Sequence, residues 1–174
     1  MGRYAAVDLG AGSGRVIVGE LTEGCLLTCE VHRFRNDPVP LPEAGGVRLC
    51  WKATELFAQV RAGLSKAAAQ GPLEAIGIDT WGVDYGLLDA HGELLRAPRA
   101  YRDRRMARWA ADLDRALPAE TAWKETGILP QQINTVYQLY ADLRQEPDLI
   151  DRVDRFLPLP DLVAHLLGAP AQAG

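Results

Sequence analysis

The sequence contains few cysteines and histidines, which argues against a metal-based or disulfide-based design. Its 174 residues include three cysteines and three histidines. The cysteines, Cys25, Cys29 and Cys50, form an odd set without a C-x-x-C pair. Structural zinc sites and disulfide frameworks need closely spaced or paired ligands. We therefore expect no structural metal site, and we expect Cys25 and Cys29 to be small buried side chains on one face of a strand.

The sequence also lacks an excess of positive charge and a long hydrophobic run. It has 19 Lys and Arg against 23 Asp and Glu, which gives a formal charge of −4 and a pI near 5.4. Proteins that bind nucleic acid usually carry a basic stripe, and a transmembrane helix needs roughly 18 consecutive apolar residues. With 48% hydrophobic residues the composition is that of an ordinary globular protein. Because the sequence also shows no signal-peptide pattern, we expect a location in the cytoplasm, with no nucleic-acid or membrane partner.

A glycine-rich segment near the N-terminus is the first feature that indicates a function. The sequence Tyr4–Val18 has an apolar run, an acid, glycines at positions 10, 12 and 14, and then the β-branched run Val16–Val18. Glycines allow positive φ and a close approach of the backbone, so successive N–H groups can converge on a phosphate. Dinucleotide and Walker loops place a helix after the glycines. The pattern here predicts strand, phosphate-binding turn, strand, and the alternative is a hairpin without a ligand.

The order of the predicted elements indicates an α/β fold. After the first two strands, Leu26–Phe34 alternates as a third strand, and the proline-rich and glycine-rich Asn36–Gly46 predicts a loop. Val47–Trp51 is a short segment that can return to the sheet. Ala53–Gln70 has one apolar stripe at helical spacing. The continuous apolar run Leu73–Thr80 predicts a strand buried on both faces. This β-β-β-α-β order is typical of the ribonuclease-H-like domain, with a mixed sheet and helices on both faces.

The second half of the chain is predicted to be mostly helical. Apolar residues recur at helical spacing in four segments, and prolines or glycines end most of them. The predicted helices are Arg105–Leu117, Ala119–Glu125, Thr135–Glu146 and Leu162–Leu167.

The segment Asp79–Tyr85 carries the most informative chemistry. It follows a buried strand, at the end where α/β sheets place ligand sites. Trp81 is suited to stack on a sugar ring, Gly82 allows the backbone to approach sugar hydroxyls, and Asp84 can accept hydrogen bonds from them. The alternative is that Trp81 belongs to the core and Asp84 forms a turn.

A charged segment, Ala100–Arg105, precedes the next predicted helix. Its side chains Arg102 and Asp103 are suited to position a polyhydroxylated or anionic substrate. The alternative is a solvated helix start whose ion pairs contribute little to stability.

Taken together, these segments resemble the N-terminal domain of the FGGY carbohydrate kinases in order and spacing. The resemblance runs from Ala5 to Gly168 and is carried by V-D-L-G-A-G-S-G-R-V, I-D-T-W-G-V-D-Y, A-Y-R-D-R-R, N-T-V-Y-Q-L and L-P-L-P-D-L-V-A-H-L-L-G. D-T-W-G-V-D-Y resembles the branch that acts on L-rhamnulose. Glycerol kinases carry an Arg-Glu pair in this region, and xylulokinases carry Gly-Gln-x-His-Gly.

The resemblance implies an actin-like ATPase fold and a role for each matching residue. The ATP-binding loop would comprise Ala11, Gly12, Ser13, Gly14 and Arg15. Asp8 would lie near Mg²⁺, through water. The ketose would contact the backbone of Gly82, with Thr80, Trp81, Asp84, Arg102 and Asp103 around it. The implied reaction transfers phosphate from ATP to the C1 hydroxyl of L-rhamnulose.

The resemblance also predicts what residues 1–174 lack. Residues 1–168 match a kinase N-terminal domain, and 169–174 read as a tail. The general base of the family is an aspartate of a second, C-terminal domain, which would be the partner in a complete protein, and no residue here matches it. We therefore expect no catalytic residue and no turnover in this chain. The alternatives are another FGGY kinase, for L-fuculose or xylulose, and a non-catalytic sugar-binding or nucleotide-binding remnant.

Overall fold

The structure is a computed structural model that describes residues 2–43 and 45–172. These residues form strands and helices in an alternating order that is typical of α/β domains. The strands are β1 (Gly2–Leu9), β2 (Ser13–Thr22), β3 (Cys25–Arg35), β4 (Val39–Glu43), β5 (Gly46–Cys50), β6 (Ala75–Thr80), β7 (Tyr85–Leu88) and β8 (Arg155–Pro158). The helices are α1 (Ala53–Ala69), α2 (Ala110–Ala116), α3 (Ala119–Thr126), α4 (Thr135–Gln145), α5 (Leu149–Arg152) and α6 (Leu159–Leu166), with a 3₁₀ helix at Arg104–Arg108.

The main sheet has the strand order β3-β2-β1-β6. β1 pairs antiparallel with β2, β2 pairs antiparallel with β3, and β1 pairs parallel with β6. Helix α1 precedes β6 and so belongs to the crossover that a parallel pair requires. The mixed sheet and the β-β-β-α-β order predicted from the sequence are therefore confirmed, with the β4–β5 hairpin inserted before α1.

The core of the sheet lies on one face. Along β1, Ala5, Val7 and Leu9 are buried and cluster with Val60 of α1 and Val163 of α6. On the opposite face Tyr4, Ala6 and the polar pair Asp8 and Arg15 retain exposure. Among the described residues, α1 and α6 both pack on the face that carries Ala5, Val7 and Leu9. The opposite face presents the charged side chains of Asp8 and Arg15 rather than an apolar stripe.

Both edges of the main sheet are more exposed than the sequence predicts. The run that contains β6 was expected to be buried on both faces, but β6 pairs with β1 alone and Ile76 is 47% exposed. Cys25 and Cys29 lie on the other edge strand, β3, and are exposed rather than buried. An edge strand has a neighbour on one side, so its residues bury less surface than those of a central strand.

The segment before α1 also differs from the prediction. Residues 39–43 and 46–50 pair as the antiparallel hairpin β4–β5, which forms a separate two-stranded sheet. The prolines at 40 and 42 obscure this strand in the sequence because proline cannot donate a ladder hydrogen bond. β5 therefore does not join the main sheet.

The helices of the second half lie close to their predicted positions. The predicted helix Arg105–Leu117 is divided into the 3₁₀ helix and α2, and the Asp103 side chain caps its start by accepting from the Arg105 N–H. Gly127 ends α3 with a φ of 68°, which favours glycine. No helix among the described residues has the length and hydrophobicity needed to cross a bilayer.

The residues after α6 contact the rest of the protein. The Arg155 guanidinium donates to the backbone carbonyl of Ala171 at 3.0 Å, and Ala171 packs beside the cluster formed by Leu88, Leu157 and Leu162. The division into a domain ending at residue 168 and a tail stays a prediction, and residues 173 and 174 lie outside the described part of the chain.

Candidate active site

Two predicted ligand-binding segments leave the main sheet at the same edge, which is the edge formed by the carboxyl ends of β1 and β6. β1 and β6 are adjacent and parallel, with Asp8 opposite Asp79 and Leu9 opposite Thr80. The glycine loop follows β1, and the T-W-G-V-D segment follows β6. Because parallel strands end at a common edge, the two segments are neighbours in space, at the place where α/β sheets bind ligands.

The glycine loop is a tight turn between two strands, as the sequence predicts. The Gly10 N–H donates to the Ser13 carbonyl at 2.8 Å. Asn36, which is 7% exposed, donates from Nδ2 to the Gly10 carbonyl at 2.9 Å and from its N–H to the Gly12 carbonyl at 3.2 Å. These bonds direct the carbonyl groups of Gly10 and Gly12 toward Asn36. The sequence analysis did not identify Asn36, because nothing in a single polar residue indicates a contact 26 positions away.

Gly12 and Gly14 of this loop differ in what surrounds the position that a side chain would occupy. None of the three glycines of the loop has positive φ, so the conformational argument made from the sequence does not apply here. A Cβ on Gly14 would lie 2.3 Å from the Phe34 ring, so Gly14 is needed for packing. A Cβ on Gly12 would meet no atom within 4 Å. The protein itself leaves space at Gly12, where a ligand can approach the backbone.

Asp8 and Arg15 form an ion pair on the face of the sheet opposite α1. Arg15 donates from Nε and Nη2 to Asp8 Oδ2, both at 2.6 Å. The side chains are 36% and 44% exposed, and exposed pairs of this kind contribute about 0–1 kcal/mol to stability. A ligand can therefore separate the two side chains at little cost.

The carboxylates at this edge fit magnesium bound together with a phosphate. Asp8 and Asp79 are in register on adjacent strands, and the described residues contain no group of three or more Asp, Glu, His or Cys that could hold a metal ion by itself. Mg²⁺ in nucleotide sites is usually held by one or two carboxylates, substrate phosphates and water. The chain thus offers the protein part of such a site, with Asp8 as the predicted neighbour of the ion.

Asp84 is a buried acceptor on which four donors converge. It is 2% exposed, and its Oδ2 accepts from Trp51 Nε1 at 2.6 Å, Trp81 Nε1 at 2.8 Å and the Tyr101 N–H at 3.1 Å. Its Oδ1 accepts from Gln138 Nε2 at 2.9 Å. These bonds fix the segment after β6 to the start of α4 and to the loop before the 3₁₀ helix. Asp84 therefore holds the segment after β6 in place, and its predicted contact with a sugar stays a prediction.

Trp81 and Gly82 present different surfaces to the site. Trp81 is partly buried, packs against the core and lies with its ring centroid 4.3 Å from that of Trp51. Thr80 donates to the Trp81 carbonyl at 3.1 Å. Gly82 lacks positive φ, and a Cβ there would meet no atom within 4 Å. Gly82 therefore resembles Gly12, because at both positions no protein atom lies where a side chain would be and a ligand can approach the backbone.

Arg102 and Asp103 lie in the loop that Asp84 holds through the Tyr101 N–H. Arg102 is exposed and donates from Nε to the Tyr101 hydroxyl at 3.1 Å. Asp103 accepts from the backbone N–H groups of Leu49 at 2.8 Å and Arg105 at 2.9 Å. Arg102 is thus free to turn toward a ligand, whereas Asp103 fastens the loop to β5.

An apolar cavity adjoins Gly82, and the sequence analysis did not predict it. Its volume is about 300 Å³. Its walls come from Gly82 and Val83 on one side and from α3, the following loop and the start of α4 on the other. Leu117, Ala122, Ile128 and Val136 supply apolar lining. The cavity can hold an apolar group of a ligand that contacts Gly82.

Asp142 of α4 is the centre of a buried ionic cluster behind this site. It is 1% exposed and accepts from Arg96, Arg99 and Arg105 at 2.6–2.7 Å. Burial opposes its ionisation, but the charges of the three arginines outweigh it, so the pKa of the Asp142 carboxyl lies below its ordinary value. Burial and the nearby Asp142 charge raise the pKa of Tyr85, whose hydroxyl donates to Asp142 at 2.7 Å. The cluster clamps the loop that carries Arg102 onto α4.

Comparison with known proteins identifies the group to which these features belong. No family model matches the chain. It is 42% identical to the rhamnulokinase of Halalkalibacterium halodurans over 164 residues, which cover 93% of this chain and 34% of that protein. It is 39% identical to the rhamnulokinase of Bacillus subtilis over 97% of this chain and 33% of that protein. The chain is homologous to the N-terminal part of rhamnulokinases. It spans about a third of the length of these relatives.

Solved sugar kinases share the fold of this chain. A xylulose kinase from Lactobacillus acidophilus matches with a TM-score of 0.79 at 12% identity, over 95% of this chain and 33% of that protein. A carbohydrate kinase from Novosphingobium aromaticivorans matches with a TM-score of 0.70 at 24% identity. These matches confirm the fold class predicted from the sequence, the actin-like ATPase fold of the FGGY kinases.

Proposed function

We propose that residues 1–174 form the N-terminal part of an ATP-dependent rhamnulokinase that phosphorylates the C1 hydroxyl of L-rhamnulose in the cytoplasm. The observation that carries this proposal is the adjacency of two backbone openings, Gly12 after β1 and Gly82 after β6, at one edge of the sheet. The identity of about 40% with rhamnulokinases over more than nine-tenths of the chain supports this sugar over other FGGY substrates.

The glycine loop is the proposed ATP side of the site. The N–H groups of Ala11 and Gly12 donate no hydrogen bond within the described part of the chain, so they are available to phosphate oxygens. Ser13 and Gly14 continue the loop, and Arg15 adds a positive charge after it leaves Asp8. Mg²⁺, when bound near Asp8, would neutralise charge on the phosphates during transfer. The protein residues then act by alignment and charge stabilisation.

The segment after β6 is the proposed sugar side of the site. Gly82 lets the backbone contact the ketose, Thr80 and Trp81 flank it, and Asp84 keeps the segment in place through its four donors. L-Rhamnulose is a 6-deoxy ketose, so it carries a methyl group where L-fructose carries CH₂OH. The apolar cavity beside Gly82 supports a substrate with such a methyl end.

We propose that the general base comes from outside residues 1–174, in a C-terminal kinase domain. The hydroxyl acceptor needs a base within hydrogen-bond reach. The described carboxylate at the sugar side, Asp84, is saturated by donors, and Asp103 accepts from two backbone N–H groups. Neither of these two carboxylates is placed to accept a proton from a substrate, and Asp8 and Asp79 belong to the proposed magnesium side of the site.

The proposal is tested by comparing residues 1–174 with the protein that the complete gene encodes. We expect ATP consumption that depends on L-rhamnulose from the complete protein, and none from residues 1–174. Asp8→Ala in the complete protein should lower kcat strongly, because it removes the carboxylate next to Mg²⁺. Turnover by residues 1–174 that Asp8→Ala abolishes would disprove the external base.

Activity measurements with other sugars distinguish the proposed function from the two alternatives, which are another FGGY kinase and a non-catalytic binding remnant. A complete protein that phosphorylates L-fuculose or xylulose in preference to L-rhamnulose would be another FGGY kinase. A protein that binds sugar or nucleotide, but transfers no phosphate under any of these conditions, would be a binding remnant.

A further inference from the structure

A second cavity, which we call the arginine cavity, lies at the other end of α4 from the apolar cavity. Its volume is about 470 Å³. It is lined by Gly45, Arg48, Arg104, Arg105, Arg108, Trp109, Arg144 and Gln145. Thr135 and Val136 line the apolar cavity at the start of α4, whereas Arg144 is nine residues further along, which is about 13.5 Å at 1.5 Å per residue. The arginine cavity is therefore separate from the candidate active site.

Four of the five arginines that line this cavity lack an acidic partner among the described residues, in contrast to most described arginines of the protein. Arg105 is neutralised by Asp142. Within the described part of the chain, Arg48, Arg104, Arg108 and Arg144 make no salt bridge. No described residue that lines the cavity is acidic. The protein carries a net charge of −4, so this concentration of unpaired positive charge runs against its overall balance.

Trp109 holds two of these guanidinium groups in place. The Cζ atoms of Arg108 and Arg144 lie 4.6 Å and 5.0 Å from the centroid of the Trp109 ring. Stacking on an indole fixes a guanidinium plane while leaving its N–H groups free to donate. Arg48 is held from the other wall, because its Nη2 donates to Gln145 Oε1 at 2.5 Å. The charges are therefore preorganised toward a shared space.

Two of the residues that line this cavity carry a buried donor without a partner. Of the described residues, four have a buried side-chain N or O atom without a hydrogen-bond partner, and two of these atoms are Arg48 Nε and Trp109 Nε1. Both are N–H groups, so the missing partner is an acceptor. A buried donor without a partner costs free energy that a bound acceptor would recover. Unpaired positive charge and unpaired donors thus indicate the same kind of ligand.

We propose that the arginine cavity binds a small, multiply charged phosphate compound, such as an oligophosphate or a bisphosphorylated sugar. Guanidinium groups match phosphate oxygens in bidentate geometry, and four of them can balance several negative charges. A volume of about 470 Å³ suits a small molecule, and the net negative charge of the chain disfavours a long polyanion. This proposal does not depend on the kinase reaction.

Calorimetric titration of residues 1–174 with inorganic pyrophosphate tests the site. We expect binding at the arginine cavity that weakens as NaCl is raised, because screening reduces the attraction between the ions. The double variant Arg108→Gln/Arg144→Gln should weaken binding at least roughly tenfold, since each change removes a charge-assisted hydrogen bond and keeps the aliphatic stem. Trp109→Phe keeps an aromatic ring, lacks the indole N–H and should weaken binding several-fold.

Two control variants separate this site from other positive charges. Arg115→Gln removes an exposed arginine of α2 whose partner is Asp112. Arg15→Gln removes the charge of the glycine loop, where pyrophosphate can also bind. Both variants should leave the titration of the arginine cavity unchanged, and all variants should keep the melting temperature of the parent protein.

Each outcome decides the proposal. Absence of pyrophosphate binding, or binding that the double variant leaves unchanged, would overturn it. If Arg115→Gln weakened pyrophosphate binding as much as the double variant does, the binding would be a general effect of net charge and the proposal would fail. If Arg15→Gln alone weakened the binding, the binding event would belong to the glycine loop and the proposal would also fail. Citrate that binds as tightly as pyrophosphate would refute the choice of phosphate over a polycarboxylate.

Discussion

Single glycines in this protein have opposite roles that their sequence context does not distinguish. Gly14 lies under the Phe34 ring, whereas Gly12 and Gly82 have open space where a side chain would be. None of the three has positive φ. Open space alone does not indicate a ligand, since Gly77 on β6 is equally open, but Gly12 and Gly82 also follow the carboxyl ends of β1 and β6, where α/β sheets bind ligands. We infer that a ligand occupies the space at Gly12 and Gly82.

Gly82→Ala tests that explanation. We expect the variant to keep its melting temperature, because a Cβ there meets no protein atom, and to lose affinity for L-rhamnulose roughly tenfold or more in the complete protein. Gly77→Ala is the matched control, since Gly77 lies on the preceding strand and is equally open. A large loss of stability in Gly82→Ala, or unchanged sugar affinity, would contradict the ligand explanation.

Gly14→Ala should behave in the opposite way. Its new methyl would lie 2.3 Å from Phe34, and overpacking of this kind typically costs about 1–3 kcal/mol. Thermal or urea unfolding measures this loss. The double variant with Phe34→Leu should recover part of it, because the shorter side chain vacates the space, and a purely additive result would show that the contact is not the cause.

At the scale of elements, α4 organises the second half of the chain. Its Gln138 reaches the segment after β6 through Asp84, and its Asp142 holds the loop of residues 96–105 through three arginines. Glu43 of β4 joins the same cluster through Arg99. Three elements that are distant in the sequence are thus fixed to one helix, and the loop that carries Arg102 depends on it.

Asp142→Asn should destabilise the protein strongly. The change leaves Arg96, Arg99 and Arg105 with less compensation in a buried cluster, and removal of one partner from a buried ion pair typically costs about 3–5 kcal/mol. Urea unfolding measures the effect. Asp112→Asn is the control, since its pair with Arg115 is exposed and the variant should change the free energy of unfolding little. Similar values for both variants would contradict a special role of the cluster.

The same cluster predicts a loss of stability in acid. The pKa of the Asp142 carboxyl is lowered by the three arginines against the effect of burial, and the pKa of Glu43 is lowered by Arg99, also against burial. Their stabilisation is therefore fully present above the unfolded pKa values, near pH 4, and is lost as pH falls through the lower folded values. Melting temperature should drop across this range, and the drop should be smaller in Asp142→Asn. An equal drop in the variant would assign the effect to other groups.

At the scale of the whole molecule, the main sheet presents an exposed edge and an uncovered face. β6 is an edge strand, and the face that carries Asp8 and Arg15 has no helix over it among the described residues. The chain corresponds to about a third of its rhamnulokinase relatives. The proposed reaction places ATP and a second domain on this side, so the exposed polar face is consistent with one half of a two-sided site.

A matched pair of sugars tests the proposed substrate in the complete protein. L-Rhamnulose and L-fructose differ by one hydroxyl at C6, and the apolar cavity beside Gly82 should favour the methyl group. We expect a several-fold higher kcat/KM for L-rhamnulose, since an apolar pocket discriminates weakly against an added hydroxyl. Ile128→Ser, in the cavity lining, should reduce this preference, whereas Ile150→Ser, at a similarly exposed position outside it, should not. Preference for L-fructose by the parent protein would refute the assignment of the cavity.

The elements that depend on local pattern could be predicted from the sequence. Helices α1 and α4 end within a residue or two of their predicted bounds, and the strand–turn–strand order at the glycine loop is confirmed with longer strands than predicted. Apolar spacing and glycine or proline signals act over a few residues, so they can be recognised in the sequence. The hairpin β4–β5 was missed because its prolines are typical of loops. The prediction that β6 is buried on both faces was wrong, because an apolar run does not indicate how many neighbours a strand has in the sheet.

The sequence by itself determined where the two candidate ligand-binding segments lie, since each is a short run of residues whose spacing predicts its chemistry. The tertiary structure alone decided what holds them. Asp84 receives donors from residues 33 and 54 positions away, and the arginine cavity assembles from a hairpin, a 3₁₀ helix and the end of α4. Hydrogen bonds and ion pairs between distant residues depend on how the elements pack, and packing leaves no periodic signal along the chain.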